Sequence, residues 1–224
     1  MKKAAVIVAG GRGTRMGGPV SKQYLPIGGK PVLMHSLAVF QALDKDIFLV
    51  LVIPKDDFEF WDKLCAEYKF DINHIVVSGG SSRFQSVKNG LDSLPFSEGL
   101  VAIHDGVRPF VSPSVIQESF EVAEKKGSAI AVVPVKDSLR KLTDQGTSLC
   151  QDRQYFRLVQ TPQTFQLQKI RKAFELSEIP QFTDDATVYE HQGWEVSLIP
   201  GNLENIKITT KEDLDYAEYI MGKK

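Results

Sequence analysis

The beginning of the chain constrains its fold more than any other segment, because an apolar run there ends abruptly in a glycine-rich loop. Residues 4–9 read Ala-Ala-Val-Ile-Val-Ala, and residues 10–17 include four glycines and two arginines. A buried strand fixes the start of such a loop, and its glycines let backbone N–H groups approach an anion. Lys22 follows and adds positive charge. The opening therefore predicts a first core strand that leads into a phosphate-binding loop.

The same alternation of short apolar runs and longer amphipathic runs continues along the chain. Strands apolar on both faces and separated by helices predict a parallel sheet covered on both sides. Right-handed crossovers then give an α/β fold, a Rossmann-like, doubly wound and mostly parallel sheet, within a single domain over 1–224. The predicted strands are 4–9, 47–53, 74–78, 100–104 and 129–134, and the predicted helices are 31–43, 58–68, 83–94 and 113–126.

The region 135–160 breaks this alternation. It contains two polar, alternating stretches around a turn at 144–146, which predicts a β-hairpin. Such a hairpin cannot bury two faces in the main core, so we expect a protruding arm at about 136–156. The arm either packs on a partner subunit or closes over its own site. The end of the chain returns to the α/β pattern, with a helix near 166–177, strands 195–199 and 205–209, and a helix 211–221.

Polar, glycine-bearing loops follow three of the predicted strands, at 10–17, 79–83 and 104–109. Ligands of open α/β sheets bind beyond the carboxyl ends of the strands. We therefore expect these loops to converge on one site.

Bulk properties exclude several classes of partner. The net charge of −1 gives no global field toward nucleic acid or anionic lipid. No apolar stretch approaches the ~20 residues that span a bilayer. Cys65 and Cys150 lie in unrelated contexts, which argues against a disulfide scaffold or a zinc site and predicts a reducing cytoplasm.

The glycine loop does not match the common nucleotide-binding motifs. A P-loop needs Gly-x-x-x-x-Gly-Lys-Ser/Thr, which is absent. The dinucleotide fingerprint Gly-x-Gly-x-x-Gly is only partly present, since Met16 stands where its third glycine would be. The second predicted strand also lacks the acidic residue that binds a ribose. Several cations beside the loop instead suit a reaction in which negative charge develops around phosphorus.

Eight sequence blocks, in order, resemble the 2-C-methyl-D-erythritol 4-phosphate cytidylyltransferase family of the sugar-phosphate nucleotidyltransferases. The resemblance implies transfer of CMP from CTP to that acceptor in non-mevalonate isoprenoid biosynthesis, with release of pyrophosphate. The alternatives are a ribitol-5-phosphate cytidylyltransferase, which shares many blocks, and a non-catalytic sensor of CTP or a sugar nucleotide. The blocks are 9–17, 22–25, 79–86, 104–110, 134–138, 160–165, 183–186 and 205–209.

The resemblance also implies roles for individual residues and a homodimer whose arms are exchanged. It implies that the catalytic cations are Arg15, Lys22 and Lys207. It implies that CTP is bound by Ala9, Gly10, Gly11, Gly13, Gly80, Ser86, Asp105 and Gly106. It implies that the acceptor phosphate is bound by Arg108, Ser138, Arg153, Thr161 and Lys207.

Asp105 ends a predicted buried strand, where an unpaired carboxylate would be costly. One interpretation is that Asp105 binds the ribose or, with the phosphates of CTP, a divalent ion such as Mg²⁺. The other is a salt bridge to Arg108, three residues later. His104 precedes Asp105 and is expected to point to the opposite face as a packing residue. The Thr-Asp-Asp run at 183–185 either caps a helix or contributes to the site.

Overall fold

The computed structural model of the protein describes residues 1–11 and 20–223. The predictions for Gly13 and Arg15 lie outside the described residues. The strands are β1 (Lys3–Val8), β2 (Pro26–Ile27), β3 (Lys30–Pro31), β4 (Phe48–Ile53), β5 (Ile75–Ser78), β6 (Leu100–Asp105), β7 (Ser128–Pro134), β8 (Leu139–Leu142), β9 (Ser148–Gln151), β10 (Arg157–Gln166) and β11 (Leu198–Pro200). The helices are α1 (Val32–Leu43), α2 (Phe58–Glu67), α3 (Arg83–Asp92), α4 (Pro113–Lys126), α5 (Leu167–Ala173), α6 (Asp185–Glu190) and α7 (Lys211–Met221).

The central sheet has seven strands in the order β11-β7-β10-β6-β1-β4-β5. Only β10 is reversed, and it pairs antiparallel with both β6 and β7. The mostly parallel, Rossmann-like sheet is therefore confirmed. Because the chain runs from β1 outward to β4 and β5 and then crosses to β6, the order reverses between β1 and β6. Ligands of open sheets bind at such a switch point.

Helices cover both faces of the sheet, and the residues of β1 alternate between the two sides. Ala5 and Ile7 join the apolar cluster that includes residues of α1 and α4. Ala4 and Val6 join the opposite cluster, with residues of α3 and α5. This period of two is what a strand buried on both faces requires.

Local signals explain where the helices begin. Ser112 precedes α4, and its side chain accepts a hydrogen bond from the Val115 N–H, while Pro113 occupies the first turn. Ser82 caps α3 in the same way through the Gln85 N–H. These caps fix the residues that open each helix, which matters for Arg83.

The hairpin is confirmed, since β8 and β9 form a separate two-stranded sheet whose residues are mostly exposed. Two expectations for this half of the chain were wrong. The ten-residue strand β10 was not predicted, because its centre is polar and contains Pro162, and its pairing is interrupted between Val159 and Gln163. The segment 205–209 is not a strand, because its N–H groups bond to separate segments. Those of Asn205 and Ile206 bond to the nearby carbonyls of residues 202 and 204, and that of Ile208 bonds to Val107 O at 2.9 Å.

Within the described residues, no helix is both long and apolar enough to cross a membrane.

Candidate active site

Three loops leave the carboxyl edge of the sheet, and the first residues of each are tied to a neighbouring strand. The Ala9 N–H donates to Val52 O at 2.8 Å, and the Gly79 N–H donates to Ile53 O at 2.8 Å. The Gly106 N–H donates to Val8 O at 2.9 Å. The strands thus fix where each loop starts, and the described residues of the three loops meet at one edge of the sheet, as predicted.

These loops surround a cavity of about 660 Å³. It lies at the switch point between β1 and β6. Most of the described residues predicted to bind CTP contribute to its wall, together with the two lysines that were predicted to be catalytic. The lining residues are Val8, Ala9, Gly10, Gly11, Lys22, Gln23, Gly80, Ser81, Ser82, Arg83, Ser86, Asp105, Val107, Lys207 and Thr209.

Ser86 holds the loop at 79–82 in place at one end of the cavity. Its hydroxyl donates to Ser82 O at 2.8 Å and accepts from the Gly80 N–H at 3.1 Å. A Cβ on Gly10 would lie 3.1 Å from Ser86 Oγ, and a Cβ on Gly80 would collide with Gln85. A side chain at Gly80 would force the start of α3 to shift, whereas one at Gly10 would crowd Ser86, so the wall here is made of backbone and one hydroxyl.

Asp105 forms the charged centre of the cavity. Its Oδ2 lies 3.2 Å from Arg108 Nε and 3.1 Å from Lys207 Nζ, and its Oδ1 lies 3.9 Å from Arg83 Nε. Burial would raise the pKa of this carboxyl, but the attraction of Arg83, Lys207 and Arg108 outweighs burial and holds the pKa well below its usual range. Asp105 is therefore ionised, and the alternative of a salt bridge to Arg108 is confirmed.

The backbone of Asp105 is held from β10. The Asp105 N–H donates to Thr161 Oγ1 at 3.0 Å, and the same hydroxyl contacts His104 Nδ1 at 3.0 Å. His104 is fully buried, and its Nε2 lies 3.0 Å from Arg108 O. Burial lowers the pKa of His104 to about 4, so its ring is neutral at pH 7. The prediction that His104 is a packing residue is confirmed. Thr161 is only 4 % exposed, and its hydroxyl fixes the backbone of Asp105.

Lys22 lies on a short segment anchored at two points. Gln23 is 1 % exposed, and its side-chain amide donates to Ala9 O at 3.2 Å. The Tyr24 hydroxyl donates to Asp57 at 2.9 Å. Burial and the Asp57 carboxylate raise the pKa of Tyr24 above its ordinary value, which keeps it a donor. Lys22 is thus brought to the cavity beside the glycine loop.

The residues predicted to bind the acceptor phosphate are spread over a larger region. Arg108 is bound to Asp105 and donates to Asn205 O at 2.7 Å. Ser138 and Arg153 are exposed at the base of the arm, where Arg153 donates to Lys136 O. Among the described residues of the chain, Lys207 is the member of this predicted set that lines the cavity.

Sequence reasoning assigned no site role to Arg83, although Arg83 lines the cavity and contacts Asp105. Asn205 was also missed. It is fully buried, donates to Thr161 O at 2.8 Å and receives Arg108 through its own carbonyl. Arg83 follows the loop at 79–82 directly, so its place at a strand–helix junction was an available signal. Apart from its place in the block at 205–209, nothing in the sequence indicated a site role for Asn205.

The fold and this cationic cavity define a nucleotide-handling α/β enzyme of the nucleotidyltransferase class. The family model for IspD, 2-C-methyl-D-erythritol 4-phosphate cytidylyltransferase, matches residues 3–223. The chain belongs to this family.

Individual relatives agree with the family match. The chain is 49 % identical over 214 residues to the 2-C-methyl-D-erythritol 4-phosphate cytidylyltransferase of Bacteroides thetaiotaomicron, covering 96 % of this chain and 97 % of the relative. It is 48 % identical over 221 residues to that of Bacteroides fragilis, covering 99 % and 100 %. Among solved structures, the 4-diphosphocytidyl-2C-methyl-D-erythritol synthase of Anaerococcus prevotii superimposes with a TM-score of 0.86 at 32 % identity, over 99 % of this chain and 96 % of that chain.

Proposed function

We propose that the chain transfers CMP from CTP to 2-C-methyl-D-erythritol 4-phosphate and releases pyrophosphate, the reaction of its family in isoprenoid precursor biosynthesis. The observation that carries the proposal is that Lys22, Lys207 and Asp105 line one cavity at the switch point of the sheet. Nucleotides bind at that position in this class of fold. Fixed cations in such a site stabilise the charge that develops during phosphoryl transfer.

In the proposed reaction, an oxygen of the acceptor phosphate attacks the α-phosphorus of CTP. The bond between that phosphorus and the oxygen bridging to the β-phosphate breaks, and pyrophosphate leaves with the electron pair. The acceptor phosphate is largely ionised at neutral pH, so the step needs no general base. Arg15 and Lys22 are assigned to the triphosphate, and Lys207 to the acceptor phosphate and the transferred group. Asp105 keeps Lys207 at the cavity wall through their 3.1 Å contact.

We assign cytosine to the end of the cavity formed by Gly10, Gly80 and Ser86. Backbone carbonyls and a hydroxyl can read the exocyclic amine and the acceptors of this base. The close approach of Gly10 to Ser86 would crowd any side chain at position 10 and supports a narrow base pocket. A purine is larger and would be disfavoured.

The donor set fits a divalent ion carried by the nucleotide better than one bound by protein alone. Magnesium is commonly held by one or two carboxylates together with substrate phosphates. Asp105 could supply Oδ1, whereas its Oδ2 is engaged by Arg108 and Lys207. No cluster of three or more acidic, histidine or cysteine ligands occurs among residues 1–11 and 20–223. Bound Mg²⁺ would neutralise phosphate charge, and calorimetry should detect its binding only with CTP present. Tight binding to the protein alone would contradict this assignment.

The protruding arm supports a homodimer in which each arm completes the acceptor site of the partner subunit. Ser138 and Arg153 stand at its base and are exposed. Leu142, Leu149 and Tyr155 are 78, 58 and 80 % exposed, an apolar surface that a partner would cover.

We also infer a reducing, cytoplasmic setting, since Cys65 and Cys150 are both free. Loss of activity on adding reductant would contradict that setting.

Position-specific labelling of CTP tests the reaction type. With CTP labelled at the α-phosphate, we expect the label in the cytidine-containing product. With label at the γ-phosphate, we expect it in pyrophosphate. Label from the γ-position in the sugar product would mean phosphorylation instead, and binding of CTP without turnover would favour the sensor alternative.

A further inference from the structure

An ion pair behind the cavity wall joins two residues that are far apart in sequence, Arg83 and Asp185. Arg83 opens α3 and lines the cavity, whereas Asp185 opens α6 and is fully buried. Two parallel hydrogen bonds join them, from Nη1 and Nη2 of Arg83 to the two carboxylate oxygens of Asp185, both at 2.7 Å. This bidentate geometry fixes the plane of the guanidinium as well as its position.

Asp185 is itself held in a fixed place by β10. The Gln163 side chain accepts from the Ala186 N–H at 2.8 Å and donates to Asp184 at 2.9 Å. Gln163 is 1 % exposed and pairs with Ile103 of β6 in the sheet. Asp185 is therefore held in a fixed position relative to β10 and its neighbour β6, and β6 also carries Asp105.

The third nitrogen of Arg83 faces the cavity. Its Nε lies 3.9 Å from Asp105 Oδ1, on the opposite side of that carboxylate from Lys207 and Arg108. Asp105 thus has two close cationic partners at Oδ2 and the more distant guanidinium of Arg83 on the side of Oδ1. If Arg83 turned away, only Oδ2 would keep its partners, and the carboxylate could rotate together with Lys207.

Stability alone is a weak explanation for this arrangement. Burying two charges removes their hydration, and apolar residues of similar volume are frequently as stabilising as the ion pair they replace. An apolar pair in place of Arg83 and Asp185 would not put a guanidinium beside Asp105.

We propose that Asp185 is a positioning residue, which holds Arg83 so that Asp105 and Lys207 keep the orientation that CTP binding requires. This inference rests on the proposed function, since it assigns CTP to the cavity. It gives the Asp-Asp pair at 184–185 two separate tasks, because Asp184 caps α6 through the Thr187 N–H and Asp185 acts on the site.

The test replaces the pair by apolar residues and measures stability and kinetics separately. We expect the double variant Arg83→Met/Asp185→Leu to melt near the wild-type temperature, yet to show a KM for CTP raised about tenfold or more. Asp185→Asn keeps the size of the side chain and should raise the same KM. In an Arg83→Met background, Asp185→Asn should cause no further loss, because Asp185 acts through Arg83.

A matched control is Asp44→Asn, which removes the charge of the partly buried ion pair between Lys3 and Asp44. It should leave KM and kcat unchanged. Wild-type kinetics in Asp185→Asn, or losses that add fully with Arg83→Met, would overturn the positioning role. If the apolar double variant does not fold, Asp185→Asn alone decides. Absence of turnover in the wild-type protein would instead refute the proposed function, and CTP affinity measured by calorimetry on the same variants would still test the role of Asp185.

Discussion

At the scale of single residues, charge compensation around one buried carboxylate organises the site. Asp105 is 7 % exposed and ionised, with Arg108 and Lys207 on one oxygen and Arg83 near the other. Arg83 is also paired with Asp185, so three cations meet two carboxylates, and Lys22 adds a further positive charge at the cavity wall. The resulting excess of positive charge suits a ligand rich in phosphate.

Lys22→Ala should lower kcat by about 10²- to 10³-fold, because it removes one fixed cation from the developing charge of the transition state. KM for CTP should change much less. Steady-state pyrophosphate release measures both constants. Lys55→Ala is the matched control, since Lys55 lies in an exposed turn and does not line the cavity. An unchanged kcat in Lys22→Ala would remove Lys22 from the catalytic set.

His104 predicts a specific dependence of stability on pH. Its pKa is about 4 in the folded protein, compared with 6.5 ordinarily. Between these values the unfolded chain binds a proton that the folded chain does not, so the free energy of unfolding falls as pH falls from 6.5 to 4. The loss due to this group is roughly 3 kcal/mol.

Urea unfolding of the wild type and His104→Gln at pH 7, 6, 5 and 4 measures this effect. The difference in stability between the two proteins should shrink steadily toward pH 4, since only the wild type loses the His104 contribution. Parallel pH profiles for the two proteins would contradict the account.

Residue types and their places at strand ends predicted much of the cavity wall. Gly10, Gly80 and Asp105 each follow or end an apolar run, and parallel strands bring such ends together. The bond between Arg83 and Asp185 could not be predicted from spacing, since 102 residues separate them and neither residue type indicates the other.

At the scale of secondary structure, the arm predicts that active sites are shared between subunits. Lys22 and Arg153 would then belong to different chains of one site. Co-expression of Lys22→Ala and Arg153→Ala chains should restore about a quarter of wild-type activity, because half of the dimers are mixed and each has one intact site. Each variant alone should be nearly inactive.

Light scattering on the same samples should show a dimer. If the arm closes over its own site, the mixture would stay as inactive as its components. A monomer would refute arm exchange directly. The control mixture is Lys22→Ala with Lys207→Ala, whose mixed dimers gain no intact site if both lysines come from the same chain.

The elements that were predicted well are those with a uniform apolar pattern. β1 and β4 are buried over most of their length, and their almost entirely apolar composition predicts this burial. β10 escaped prediction because its buried residues Gln160, Thr161 and Gln163 are polar. The polar group of each side chain forms a hydrogen bond with a segment that is distant in sequence, and only the tertiary structure brings these partners together.

At the scale of the whole molecule, the site lies where the sheet reverses its strand order, and two halves of the chain meet there. The glycine loop and Lys22 come from the first half, whereas Thr161 and Lys207 come from the second. The overall fold followed from hydrophobic periodicity, but the contacts across these halves depend on how β10 inserts between β6 and β7.

The proposed function requires that this cavity bring CTP together with one particular acceptor phosphate. The most direct measurement is pyrophosphate release by the wild-type protein with CTP and Mg²⁺, compared between 2-C-methyl-D-erythritol 4-phosphate and ribitol 5-phosphate. We predict release with methylerythritol phosphate and a far lower kcat/KM with ribitol phosphate. Equal or greater turnover of ribitol phosphate would contradict the assigned acceptor, and no release with either, from folded protein, would contradict the enzyme.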